Sequence, residues 1–319
     1  MGGTMISQLE AGQTVTDFFI LRSKEKRTKK GSSEFYLSVE LGDCSGRIFG
    51  SLWKNINDVD ALLKPGVVVK VRGKVIDWHG RPHLSIDKLR LATEGDNISP
   101  DAFLPRSKTA LKTLLESFRS QADQVQEPFL KMILTRVLEN SEWRQKLKKA
   151  PAGKLWHHCY VGGLLEHTLN VTRLVRTIAE NYEHINRDLL VTGALLHDIG
   201  KIYEYDANGF IDYTDAGRLH GHIAIGYHVV ASIVDSIPEF PQHLRNELLH
   251  LILSHQGAKE HGSPAVPMSR EALILNAADD LDAKLGAFER IFEREHEPDK
   301  PWSNYVNLLD RFLYFGNGN

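Results

Sequence analysis

Apolar and polar residues alternate in short runs through the first third of the chain, with the period of a half-buried β-strand. Turn residues separate the runs and predict five strands, near residues 15–21, 35–41, 47–53, 67–76 and 84–91. We also predict a bulge at Gly73, a loop at 24–31, and a short helix near 59–63, between the third and fourth strands. Five strands with a helix in this place predict an OB-fold barrel, although an SH3-like barrel would give a similar pattern.

From residue 108 onward the pattern changes to the helical period, as at Leu111, Leu114, Leu115 and Phe118. Residues 93–105 are polar and contain Gly and Pro, which indicates a linker. The expected fold class is therefore multidomain α and β, with an N-terminal OB-fold barrel followed by an all-α domain. We place the barrel at residues 1–92, the linker and leading helices at 93–150, and the helical domain at 151–319.

Charge is distributed unevenly between these regions. Residues 14–92 carry 15 Lys and Arg against 9 Asp and Glu, so this segment has a net charge of +6 in a chain of net charge −2. A basic barrel favours contact with nucleic acid, while a chance distribution of solvated charge is the alternative.

Location is suggested by three simple features of the sequence. No apolar stretch approaches the roughly 18 residues needed to span a membrane. Residues 1–10 lack the basic and apolar segments of a secretory signal. Cys44 and Cys159 match no ligand spacing and favour a cytoplasmic protein with reduced thiols.

Aromatic and basic residues are interleaved in the barrel, as suits a single strand whose bases stack on rings while cations follow its phosphates. We expect Phe35 and Phe49 to belong to the barrel core and Trp78 to contact nucleic acid. The residues predicted to bind single-stranded RNA or DNA are Lys26, Arg27, Lys29, Lys30, Trp53, Arg72, Trp78 and Arg81 of the barrel, with His157 and His158 of the helical domain.

Thirteen of the fifteen histidines follow residue 150, and several interrupt or end apolar helices. A lone helical His is more often a hydrogen-bonded structural residue than a ligand. An ordered set on apolar faces is different, because buried polar groups need partners and a metal would satisfy them together. This set is His167, His197 with Asp198, His222, His255 and Asp279.

Imidazole and carboxylate ligands together suit Mn, Fe, Co, Ni or Zn rather than Ca. The adjacent ligands His197 and Asp198 suit a bridged pair of metals, since Asp can offer one oxygen to each ion. Paired metals clamp the attacking and leaving oxygens of a phosphoryl transfer and activate a water as nucleophile.

The order His167, His197-Asp198, Asp279 resembles the HD superfamily of metal-dependent phosphohydrolases, and residues 195–201, Leu-Leu-His-Asp-Ile-Gly-Lys, are similar to its central motif. An OB-fold in front of such a domain, with residues 156–158 and 162–168 leading into the first ligand, resembles the YhaM family of bacterial 3′→5′ exoribonucleases. The resemblance covers nearly the whole chain.

This resemblance implies a core ligand set of His167, His197, Asp198 and Asp279, with His222 and His255 for a second ion. Asp280 and Asp282 compete with Asp279 for the last position, and Asp282 is the candidate for an outer-shell role. Lys201 either neutralises a substrate phosphate or is a solvated helix-end residue. The family also implies one or two divalent ions, with Mn²⁺ expected, and self-association.

The expected function is hydrolysis of single-stranded RNA from its 3′ end, with the direction of cleavage implied by the resemblance. Two alternatives stay open. An HD-type phosphodiesterase of small or cyclic nucleotides would use the same site, and a non-catalytic nucleic-acid-binding scaffold would keep the barrel.

Overall fold

The computed structural model describes residues 4–29, 31, 33–154, 156–297 and 299–316. Lys30, one of the predicted nucleic-acid-binding residues, lies outside the described residues. The chain divides into two compact units. One comprises Met1–Arg106 with Ala207–Ile211, and the other comprises Ser107–Asp206 with Asp212–Asn319.

The first unit is a closed five-stranded barrel with the strand order β1-β2-β3-β5-β4. Strands β3 and β5 pair in parallel, and the other neighbours are antiparallel. A short helix, α1 (Ile56–Asp60), connects β3 to β4. This order confirms the OB-fold prediction. The strands are β1 (Thr14–Thr28), β2 (Phe35–Gly42), β3 (Arg47–Leu52), β4 (Val68–Trp78) and β5 (Arg81–Leu91).

Alternate residues of the strands fill the barrel, as Leu37, Val39 and Leu41 do in β2. The pairing of β4 with β5 shifts register between Arg72 and Gly73, where the bulge was predicted, but the extra residue is Asp87 on β5. A Cβ at Gly73 would lie 2.4 Å from the Ser85 carbonyl oxygen, so the two strands approach too closely there for any side chain.

The predicted loop at 24–31 is wrong over most of its length, because β1 continues to Thr28. Its outer part pairs with β2, as in Lys26 with Leu37 and Thr28 with Phe35. Charged residues normally indicate a loop, but backbone pairing needs no apolar face, so a solvated hairpin arm can carry them. Lys26 and Arg27 therefore belong to a strand, and Lys29 follows it directly.

The assignment of Phe35 and Phe49 to the barrel core is also wrong. Phe35 is 51% exposed and Phe49 is 55% exposed. Phe49 lies between the inward-facing Ile48 and Gly50, so the two-residue period of the strand turns its ring outward. Phe35 begins β2 on the hairpin arm, beyond the layer of core residues.

The second unit is helical, as predicted. Its sequence is interrupted by a two-stranded hairpin, β6 (Tyr205–Asn208) and β7 (Phe210–Tyr213), of which Ala207–Ile211 belong to the first unit. No helix in the described part of the chain has the length and apolarity to cross a membrane. The helices are α2 (Leu111–Asp123), α3 (Pro128–Glu139), α4 (Ser141–Lys149), α5 (Gly163–Glu180), α6 (Arg187–Leu196), α7 (Lys201–Glu204), α8 (Asp215–Asp235), α9 (Gln242–Ser254) and α10 (Arg270–Glu295).

The core of this unit lies between α5, α6, α9 and α10, whose apolar faces contribute fully buried residues such as Leu165, Leu196, Leu248 and Leu275. Helix α6 is buried over Leu189–Leu196, so its end lies deep inside the unit. Polar residues at this end therefore cannot reach water and must find partners within the protein.

Candidate metal centre

Five helices bring polar side chains to one point in the helical unit. Helices α6 and α9 end there, α5 and α10 pass it, and α8 reaches it just after a kink at Gly221, whose φ is 71°. The side chains are those of the predicted ligand set, His167, His197, Asp198, His222, His255 and Asp279, and all are buried except His222, which is half-buried.

Asp198 lies at the middle of this cluster, with each carboxylate oxygen facing different histidines. Its Oδ2 lies 3.4 Å from Nε2 of both His167 and His197. Its Oδ1 lies 3.5 Å from Nε2 of His222 and 3.6 Å from Nε2 of His255. The cluster therefore consists of two groups of ligand atoms that share one carboxylate.

Asp279 belongs to the first of these groups. Its Oδ1 lies 3.1 Å from His167 Nε2 and 3.8 Å from His197 Nε2. The next carboxylate, Asp280, lies about 100° further around α10, where it is exposed and pairs with Lys284 at 2.6 Å. Of the two, only Asp279 faces the cluster.

The other ring nitrogen, Nδ1, is engaged in all four histidines. His197 Nδ1 donates to the Ala194 carbonyl and His255 Nδ1 to the Ile252 carbonyl, each at 2.8 Å. His167 Nδ1 lies 2.7 Å from Asp282 Oδ2, and His222 Nδ1 lies 3.2 Å from Glu204 Oε1.

Carbonyl and carboxylate oxygens accept but do not donate, so Nδ1 carries the hydrogen. An imidazole that keeps its hydrogen on Nδ1 can present an Nε2 lone pair to a metal at the centre, which is the usual orientation of metal-ligating histidines.

The residues fit a divalent metal in two further respects. Within the described chain, Asp198 Oδ1 and Nε2 of His222 and His255 are buried without a hydrogen-bond partner. The Nε2 atoms of His167 and His197 approach to 3.2 Å, a separation expected of two nitrogens that share a metal at roughly 2.0–2.1 Å from each. A cation would satisfy these atoms together.

The electrostatics of the cluster also favour positive charge. Burial alone would lower the pKa of His167, but Asp198, Asp279 and Asp282 outweigh it and raise that pKa well above its ordinary value. Burial alone would raise the pKa of Asp198, but Lys201 and the neighbouring histidines hold it well below its usual range. The buried carboxylates are thus ionised and stabilise a cation between them.

Lys201 begins α7 and is 5% exposed, so the alternative of a solvated helix-end lysine is wrong. Its Nζ lies 2.6 Å from Asp198 Oδ2. Burial lowers the pKa of Lys201, but Asp198 and other carboxylates more than offset this, so the amine is charged. It neutralises part of the negative charge of the cluster.

Asp282 lies one helical turn after Asp279 and supports the first group from outside. Its Oδ2 is 2.7 Å from His167 Nδ1 and 3.0 Å from His158 Nε2. His158 reaches Tyr160 with its other nitrogen, at 2.7 Å. His158 and Asp282 therefore hold the His167 ring in place.

His157 has a different environment from His158. It is 8% exposed, and neither of its nitrogens has a hydrogen-bond partner in the described chain. Its ring centroid lies 5.0 Å from that of His167. Burial, together with His167 and Lys201, lowers the pKa of His157 to about 2, so the imidazole is neutral.

Glu204 was not singled out from the sequence. It is 5% exposed, and its Oε1 accepts the backbone N–H of His222 at 3.0 Å as well as facing His222 Nδ1. It therefore holds both the backbone and the ring of His222 just after the kink at Gly221. A single glutamate in a four-residue helix has no periodicity, so no sequence signal could have identified it.

In the barrel, the predicted aromatic residues lie on the outer surface. Trp53 is 43% exposed and stacks on Tyr36 at 4.5 Å between ring centroids. Trp78 ends β4, is 53% exposed, and lies 5.6 Å from the ring of His83. His83 is the register partner of Phe49 across β5 and β3. The basic residues Lys26, Arg27, Lys29, Arg72 and Arg81 are also exposed.

Comparison with known proteins agrees with this architecture. The HD domain family matches residues 164–284, the stretch that contains every residue of the ligand cluster. The chain is thus an OB-fold barrel followed by an HD domain, a domain whose His and Asp clusters suit divalent metal binding.

Relatives similar over nearly the whole chain narrow the class further. The chain is 32% identical over 295 residues to the 3′-5′ exoribonuclease YhaM of Geobacillus sp. (strain WCH70), covering 91% of this chain and 88% of the relative. It is 32% identical over 287 residues to the protein of the same name in Bacillus subtilis (strain 168), covering 89% and 90%. The chain belongs to the YhaM family.

Among solved structures, the second OB-fold domain of replication protein A from Methanococcus maripaludis is similar to 28% of this chain, with 23% identity, a TM-score of 0.24 and 94% of that domain covered.

Proposed function

We propose that this protein is a metal-dependent 3′→5′ exoribonuclease that shortens single-stranded RNA in the cytoplasm. One observation carries the proposal most directly. Four histidines donate Nδ1–H to fixed oxygens and direct Nε2 toward the two oxygens of Asp198. This arrangement suits two cations that share a carboxylate, and the named relatives are 3′-5′ exoribonucleases.

In this proposal His167, His197 and Asp279 would hold one ion, His222 and His255 would hold the other, and Asp198 would be available to both. Paired divalent ions supply Lewis-acid stabilisation of phosphate oxygens and a water of lowered pKa. We favour Mn²⁺, and Fe, Co, Ni or Zn would suit the same donor atoms.

The remaining residues of the centre act on charge, orientation and substrate. Lys201 offsets the negative charge of Asp198 and keeps its carboxylate in place. His157 is buried and neutral, and neither of its nitrogens has a partner among the residues that the structure describes. We assign it to a hydrogen bond with the terminal nucleotide. His158 acts through Asp282 on the orientation of His167.

The barrel supplies a surface for the strand. Phe49 of β3, Trp53 just after β3, and Trp78 at the end of β4 are large exposed rings. His83 of β5, the strand between β3 and β4, pairs in register with Phe49 and lies beside the ring of Trp78. Single-stranded nucleic acids bind such surfaces because every base has a face that can stack. We therefore propose residues 1–92 as the binding module, 93–150 as linker and leading helices, and 151–319 as the catalytic module. Self-association remains a prediction from the family.

A phosphodiesterase of small or cyclic nucleotides is the second candidate, because the ligand cluster does not itself select a polymer. The exposed aromatic surface of the barrel favours a single-stranded nucleic acid as the substrate, since a free nucleotide would leave this surface without a role.

A labelled-strand assay tests the proposal. The full chain is incubated with 5′-labelled single-stranded RNA in Mn²⁺ or in chelator, in parallel with single-stranded DNA of the same sequence. We expect a ladder of progressively shorter labelled products with metal and an intact strand in chelator. The RNA and DNA arms measure the preference between the two substrates.

Asp279→Ala and Asp280→Ala are the matched pair of variants, because only the first carboxylate faces the cluster. We expect Asp279→Ala to lose bound metal and at least about a hundredfold in rate, and Asp280→Ala to behave like the parent protein. An intact strand under every metal, with turnover of free or cyclic nucleotides, would replace this proposal by the second candidate.

A further inference from the structure

The barrel also has a concave surface, which we call the basic cleft. It has a volume of about 500 Å³ and is lined by β1, β4, the end of β5 and the segment that enters α1. Its basic residues are Lys54, Lys70, Arg72, Lys88 and Arg90, and its carboxylate is Asp87. The volume lies in the range of about 300–1,000 Å³ typical of small-ligand sites.

Cations in this cleft are placed directly against one another. Lys70 pairs in register with Arg90, and Arg72 pairs in register with Lys88, across the antiparallel strands β4 and β5. Like charges directly opposite each other destabilise a sheet. Two such pairs in succession reduce the stability of the barrel. A destabilising arrangement of this kind is expected where the charges serve to bind a ligand.

The strand geometry concentrates charge further. The register shift after Arg72 leaves Asp87 as the extra residue of β5, and both Asp87 and Lys88 are exposed. Bulges commonly re-aim side chains toward a ligand. Leu52, Val71 and Leu89 also line the cleft and belong to the apolar core of the barrel beneath it. A concave, low-dielectric floor strengthens the field of the charges around it.

The positive charge of the cleft is only partly compensated. Arg90 makes two contacts with Asp96, at 2.7 and 2.8 Å. Lys70 lies 4.8 Å above the ring of Phe18, which attracts the amine without neutralising it. Three further cations, Lys54, Arg72 and Lys88, line the cleft, and among the side chains that the structure describes Asp87 is its one lining carboxylate.

We propose that the basic cleft binds consecutive phosphates of a single-stranded nucleic acid, as a contact additional to the aromatic surface. The inference rests on the proposed function for the identity of the strand. A nucleotide phosphate could also come from a free mononucleotide, and the experiment distinguishes the two sources.

Binding of a fluorescent single-stranded RNA to the full chain is measured in chelator, by anisotropy, over a series of salt concentrations. Each phosphate contact contributes roughly −0.7 to the slope of log K against log salt for a single strand. The triple variant Lys70→Gln, Arg72→Gln, Lys88→Gln should therefore reduce the slope by about 2. The control Lys64→Gln removes an exposed cation outside the cleft and should leave the slope unchanged.

Two further readouts separate binding from folding and from catalysis. The triple variant should unfold at the same temperature as the parent protein or a higher one, because it removes like-charge pairs. Its metal content in Mn²⁺ should equal that of the parent protein, because none of the three residues belongs to the ligand cluster. Absence of nuclease activity in the parent protein itself would contradict the proposed function and not the cleft.

A salt-dependence slope for the triple variant equal to that of the parent protein would overturn the proposal. Competition by a mononucleotide as strong as that of an oligonucleotide at equal phosphate concentration would overturn the strand as occupant. A lowered unfolding temperature in the triple variant would contradict the repulsion on which the argument depends.

Discussion

Gly200 offers the sharpest test of how the ligand cluster is assembled. It follows Asp198 by two residues and packs against the backbone of α8 beside His222. A Cβ at Gly200 would lie 2.0 Å from the His222 carbonyl oxygen and 2.6 Å from the Gly226 nitrogen. Both atoms belong to the backbone of a packed helix, so no side chain can rotate away to make room.

The expected cost of Gly200→Ala follows from this overlap. Its φ of −61° and ψ of −22° suit alanine, so backbone strain does not contribute. An ordinary contact needs α8 to move by more than about 1 Å, and overpacking of this kind costs roughly 1–3 kcal/mol or more. The same movement separates His222 from Asp198, and a misplacement of about 1 Å can cost about a hundredfold in rate.

Gly226→Ala is the matched control on the opposite side of the same contact. A Cβ there would lie 3.3 Å from the Gly200 nitrogen, a tight but tolerable distance. Alanine also favours a helix over glycine by about 1 kcal/mol, so we expect a change within about 1 kcal/mol of the parent protein.

Urea unfolding followed by far-ultraviolet circular dichroism reports on the helical unit, and metal content by mass spectrometry reports on the cluster. Gly200→Ala should unfold at lower urea and bind less metal, while Gly226→Ala should do neither. Equal stability and metal content for Gly200→Ala and the parent would refute the close-packing argument.

Two further predictions concern groups that support the ligands. Glu204→Leu should weaken metal binding by about tenfold or more, because His222 loses the acceptor of both its Nδ1–H and its backbone N–H. Glu271→Leu, which removes a buried acceptor of a backbone N–H far from any ligand, should alter stability without changing metal affinity, as measured by titration. Burial raises the pKa of Asp282, but His158 and His167 lower it well below its usual range. Because the folded pKa is the lower one, this carboxylate contributes stability above about pH 4 that is lost as pH falls. In chelator, Asp282→Asn should flatten the acid side of the stability profile, and an unchanged profile would contradict the assignment.

Local patterns were sufficient to predict most of the barrel. The two-residue period of β2 and β3, the bulge at Gly73 and the helix before β4 are all short-range features of the sequence. The hairpin arm was missed because its charged residues are paired through the backbone, which composition does not report. The outward turn of Phe49 was missed because a large apolar residue was given more weight than its position in the alternation.

For the candidate centre, the order and residue types of the ligand set were apparent from the sequence, since polar groups that end apolar helices need partners inside the core. Only the tertiary structure decided which atoms meet. The two oxygens of Asp198 divide the histidines into two groups because α5, α6, α8, α9 and α10 converge from different directions. The roles of Glu204 and of the buried Lys201 amine could be assigned only from the tertiary structure. Long-range packing, and not neighbouring residues, determines what each of them contacts.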